Sequence, residues 1–118
     1  MASAQIGELT MPTASITIPA GASLSSVLDL MAVRLTQLMA PDAWTPANVS
    51  FQLSADGLVF GDLYAEDGVQ VVRAMGASRG VAIDPALTAA ALYLKVRSGP
   101  SERPVPQAAD RIFTCVMV

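Results

Sequence analysis

Histidine is absent from the 118 residues, and there is a single cysteine, Cys115. Without histidine the chain has no Ser-His-Asp or Cys-His nucleophile system and no His-ligated metal site. With one thiol it has no internal disulfide. Cys115, between Thr114 and Val116, reads most simply as a small core hydrophobe. Charge is scarce as well. Charged residues make up 14% and the net charge is -3, where soluble domains commonly carry about 25% charged residues. Seven Lys and Arg residues make no basic stripe to neutralise phosphates, so no nucleic-acid partner is expected. A membrane span needs about 20 predominantly apolar residues. The longest uncharged stretch, residues 9–28, is instead full of Ser, Thr, Pro and Gly. No membrane partner is expected, and with Glu8 and no cation in residues 1–9 no secretory signal is read.

What remains is apolar. Hydrophobic residues reach 53% and the mean hydropathy is +0.49, which excludes a disordered chain. The length suits one domain. A small domain has a large surface for its volume and normally covers it with charge. One this poor in charge is expected to bury surface against other chains, as a homo-oligomer or in a larger assembly.

Along the chain, residues 1–14 read as an N-terminal arm and residues 15–118 as the folded domain. Ile16 and Ile18 alternate with Ser15 and Thr17, the period of a half-buried strand, and Pro19-Ala-Gly21 closes it as a turn. Residues 24–39 are ambiguous. Leu24, Val27, Leu28, Met31, Leu35, Leu38 and Met39 fit a helical stripe, while Val33, Leu35, Gln37 and Met39 also alternate as a strand would. Downstream, Val49, Phe51 and Leu53 alternate with Ser50, Gln52 and Ser54. Asp56-Gly57 then marks a hairpin turn into an expected strand over residues 58–64, and Asp67-Gly68 a second turn into residues 69–73. Residues 81–83 read as a short strand, and Asp84-Pro85 as a turn or single helical turn. Leu92, Leu94 and Val96 share one face of a strand with Tyr93, Lys95 and Arg97 on the other, and residues 111–118 form the last strand. Seven or more short strands between regular turn signals predict an all-β, antiparallel β-sandwich of jelly-roll or discoidin-like type. That context favours two strands with a turn near Met31-Ala32 over a helix in residues 24–39.

The candidate sites are few. Asp56, Asp62, Glu66 and Asp67 are oxygen donors close in sequence, but their spacing is not that of an EF-hand loop. Asp56 and Asp67 read as turn formers and Asp62 as a solvated strand residue. Trp44 has the chemistry to stack on a sugar, although closing the end of the core is the commoner use of such a ring. The Asn48-Val-Ser50 sequon falls in a strand and is discounted. Lys95 and Arg97, with Arg73 and Arg79, read as a solvated face rather than a basic patch. No metal site, cofactor or catalytic residue is expected.

The order of motifs is more specific than any one of them. Pro41-Asp-Ala-Trp44, Val49-Ser-Phe-Gln-Leu-Ser-Ala-Asp-Gly57, Phe60-Gly-Asp-Leu-Tyr64, Tyr93-Leu-Lys-Val-Arg-Ser-Gly99 and Pro104-Val-Pro-Gln-Ala-Ala-Asp-Arg111 follow one another. Together they resemble a small domain of tailed-bacteriophage virion proteins and related gene transfer agent particles, of the capsid decoration, head-fibre or head-spike type. The resemblance covers about residues 15–118. It implies that Phe51, Phe60, Tyr93 and Leu94 are structural residues and that the chain is a non-enzymatic virion subunit on the capsid exterior, assembled in the host cytoplasm. Its partners would be the major capsid protein or neighbouring virion subunits, with Ile6, Leu9 and Met11 of the arm as contact residues. The alternative is a discoidin-like carbohydrate-binding module, using Trp44 and the loops at residues 41–47, 65–68 and 99–109.

Overall fold

The computed structural model describes residues 12–30, 32–89 and 91–118. Among them are nine strands and no α-helix: β1 (Thr13–Ile18), β2 (Leu28–Asp29), β3 (Leu35–Met39), β4 (Val49–Ser54), β5 (Gly61–Asp62), β6 (Val72–Arg73), β7 (Gly80–Ala82), β8 (Tyr93–Ser98) and β9 (Arg111–Met117). One sheet runs β1-β9-β3-β7 and the other β2-β8-β4-β5, with β6 also on β4; every pairing is antiparallel. The two sheets pack face to face as a sandwich. Far-UV circular dichroism is expected to show an antiparallel β spectrum, and a substantial helical component would contradict it.

Alternation builds the core. Ile16 and Ile18 of β1, Phe113, Cys115 and Met117 of β9, Val49 and Phe51 of β4, and Leu94 and Val96 of β8 all face inward and are buried. The expected start of the folded domain moves by two residues, since β1 takes in Thr13 and Ala14 through their pairing with Val116 and Cys115.

Residues 24–39 contain β2 and β3, as the all-β context predicts, and Ala32 at the reversal has φ +66°. The helix-like spacing has a structural cause. Leu35 and Leu38 are both buried although three residues apart, because the β3–β9 register shifts between Leu35 and Gln37. A bulge of this kind inserts one residue and returns the side chains to the same face. The Leu35 N–H donates to Thr88 Oγ1 at 3.0 Å. Thr88 is held there by the single 3-10 turn Pro85–Thr88, which Asp84 caps through the Ala86 N–H.

Two expectations need correction. The strand expected over residues 58–64 is only Gly61–Asp62. Asp56 Oδ1 accepts the N–H groups of Leu58 and Val59 at 2.8 and 3.0 Å, turning both amides toward its own carboxylate and away from the edge of β4. Phe60 and Tyr93 are both half-buried on the outer face of the second sheet, Tyr93 on the face expected of it, with Lys95 Nζ 4.4 Å above the Phe60 ring. Beneath Tyr93 lies Gly57, at φ +79°, where a Cβ would come within 3.3 Å of the ring. Leu92 precedes β8 and is exposed instead of sharing the buried face of Leu94.

Candidate functional site

The arm residues Ile6, Leu9 and Met11 lie outside the described residues. The other residues singled out in the sequence are placed as follows.

Trp44 closes the core. Its ring meets Phe113 edge to face at 5.3 Å, its Nε1–H donates to Ala47 O at 3.0 Å, and only 9% of the residue is exposed. That leaves no open face for a sugar, so Trp44 is corrected from possible glycan contact to core anchor. The loop that carries it is fixed by Gln107, the polar keystone of this end. Gln107 is 1% exposed. Its Oε1 accepts the Thr45 N–H and Arg111 Nε, and its Nε2 donates to Thr45 O and Ser98 Oγ, at 2.7 to 3.0 Å. The loops at residues 41–47 and 99–109 are thereby joined. The hairpin of residues 65–68 is tied in less directly, through Gln70 Oε1 accepting the Ser101 N–H at 3.3 Å.

Asp62 is an exposed strand residue, as expected. Arg97 is corrected: it reads as part of a solvated face, yet it is only 7% exposed. Its Nε donates to Ser50 Oγ at 3.0 Å, and its Nη2 lies 2.8 Å from Asp62 Oδ1, an ion pair off the line of a hydrogen bond. Ser50 in turn donates to Gly99 O. The chain reverses after β8 at Gly99, φ +89°, where a Cβ would sit 2.6 Å from Arg103 O. Arg97 is therefore neutralised inside the fold and contributes to no basic patch.

Asp56 and Asp67 are turn formers, Asp67 accepting the Val69 N–H at 2.9 Å. The Val59 and Leu58 amides, then the Ser54 hydroxyl, hold the Asp56 carboxyl below the ordinary carboxylate value. A lowered folded-state value stabilises at neutral pH, and the contribution is lost as pH falls through that value. Among the described residues no three of Asp, Glu and Cys are grouped to hold a metal ion.

Burial pushes the Cys115 thiol up to about 12. The thiolate is the reactive form, so a thiol reagent at neutral pH should label Cys115 only as fast as the protein unfolds. Labelling of the native protein at the rate of a free thiol would contradict its burial. The raised value also means that this group's contribution is intact below the ordinary thiol range and is lost as pH rises toward 12.

What the surface offers is apolar. Along the β5–β6 edge of the second sheet stand Leu58, Val59, Val69 and Tyr64, exposed at 85%, 76%, 63% and 51%. An open groove of about 250 Å³ runs between the end of β4 and the 3-10 turn, walled by Leu53, Ser54, Ala55, Ala86, Leu87 and Ala91. Apolar side chains exposed at the rim of a sheet are a surface that a protein partner can cover. Periodicity did not reveal this feature, because residues 58–64 read as a strand with one face inside.

No protein-family model, curated protein or solved structure matches the chain.

Proposed function

We propose that the chain is a non-enzymatic structural subunit on the exterior of a phage or phage-like particle, as a decoration or cement subunit or as the base of a head fibre or spike. Its partners are the major capsid protein or neighbouring subunits, and it functions in the assembled virion. The observation that supports this reading most is the β5–β6 edge, where four large apolar side chains stand exposed on a chain with 14% charged residues. Isolated exposed apolar residues are ordinary; several along one sheet edge mark a surface used for association. The order of sequence motifs supplies the particle, and the rigid two-sheet body suits a part that must hold its shape under load. The glycan reading loses its anchor with Trp44 in the core.

Co-sedimentation with empty capsids tests the proposal. The wild-type protein is expected to pellet with capsids. The Leu58→Asp, Val59→Asp double variant should remain soluble while keeping the wild-type circular dichroism, since both side chains project into solvent. Failure of the wild-type protein to bind capsids of its own particle would overturn the reading.

A further inference from the structure

A second groove lies at the opposite flank of the sandwich, beside β1. It measures about 350 Å³ and is walled by Pro12, Thr13, Ala14, Asp29, Leu30, Val33 and Met117, so it is apolar except at Asp29. An apolar cavity of about 150 Å³ takes a benzene-sized group, so this one has room for two aliphatic side chains. The groove borders a strand edge that is only partly covered. β1 is the outer strand of its sheet. At Thr17 its edge is closed by Ser26, whose N–H donates to Thr17 O and whose Oγ accepts the Thr17 N–H. Backbone groups alternate in direction along a strand, so those of Ser15 and Thr13 face the same way as Thr17's. No strand pairs with them there among the described residues. An open edge beside an apolar groove is the arrangement into which an extended peptide adds as a strand.

Eleven residues of the chain precede Pro12, and they contain Ile6, Leu9 and Met11 but only one charge, Glu8. Fully extended, eleven residues reach about 36–40 Å, comparable with the 31 Å and 25 Å widths of the molecule. The chain is still tied to β9 at Pro12, whose O accepts the Met117 N–H at 2.9 Å. The backbone at Pro12 is therefore still in line with β1, and a reversal there would be needed for the chain to add to its own edge. We infer that the groove and the open edge of β1 receive residues 1–11 of a second copy of this chain, with Ile6 or Leu9 seated against Ala14 and Val33, the partly exposed apolar side chains of its wall. This rests on the assembly reading above and specifies its subunit contact.

Cysteine cross-linking of full-length protein tests it, with Cys115 left in place because it is buried. Chains carrying Ile6→Cys are mixed with chains of a different mass carrying Val33→Cys, oxidised, and separated under denaturing, non-reducing conditions. The expected product is the mixed dimer, strongly enriched over a control mixture in which Ala108→Cys, at the far end of β1, replaces Val33→Cys. No enrichment over that control overturns the inference. So does a cross-link that forms within one chain carrying both cysteines and does not depend on concentration, which would mean that the segment folds back on its own groove. Capsid binding is read separately. Cross-linked dimers without capsid binding would uphold this contact and defeat the particle reading, and capsid binding without the cross-link would do the reverse.

Discussion

Phe51→Ala is expected to lower the unfolding free energy by about 3–5 kcal/mol, the range for removing a large aromatic side chain from a packed core. Phe51 is 1% exposed at the centre of β4, paired with Val96 of β8 and flanked on the same face by Val49. Natural domains are stable by only about 5–15 kcal/mol, so the variant should be marginal at ambient temperature. Phe60→Ala is the control. That ring lies half-buried on the outer face under Lys95, and its removal should cost under about 1.5 kcal/mol. Urea titrations of both variants give the comparison. Similar losses would mean that the inner and outer faces of the second sheet are wrongly assigned.

Gln107→Leu should cost about 2–4 kcal/mol, although it keeps the side chain's size and removes only polar atoms. Each buried donor or acceptor left unpaired costs about 1–3 kcal/mol. Here the Thr45 N–H and O, Ser98 Oγ and Arg111 Nε all lose a partner. The damage should be local as well as global. Hydrogen exchange at the Thr45 amide should accelerate more than at the amides of β4. A loss under about 1 kcal/mol with unchanged exchange would show that water replaces the glutamine without penalty.

The strands with strict alternation were legible in the sequence. Ile16 and Ile18, Val49 and Phe51, Leu94 and Val96 each repeat at two, and burial on one face of a sheet requires that period. Legibility failed where a side chain or a bulge took over the backbone's hydrogen bonds. The Leu35–Leu38 spacing looked helical because a bulge shifts the phase of β3, and only the surrounding strands argued against a helix. Residues 58–64 looked like a strand because the alternation of apolar residues does not reveal that Asp56 will capture two amides. Arg97 and Asp62 alternate to the outer face as expected. The burial of Arg97 depends on Ser50 and on the reversal at Gly99, which no local pattern contains. Gln107 sits in the loop of residues 99–109, where no alternation marks a buried position, yet it is the best-connected buried side chain at its end of the molecule. The surface features were the least visible of all. A groove is made by segments distant in sequence, and an exposed leucine in a turn looks like a strand residue until the fold is known.

Mass photometry of the purified full-length protein, alone and after mixing with empty capsids of its own particle, tests the central claim most directly. Discrete multimers of the 12.2 kDa chain are expected, together with a capsid mass that rises to saturation as protein is added. Capsids of unchanged mass, with the free protein monomeric at every concentration, would contradict it.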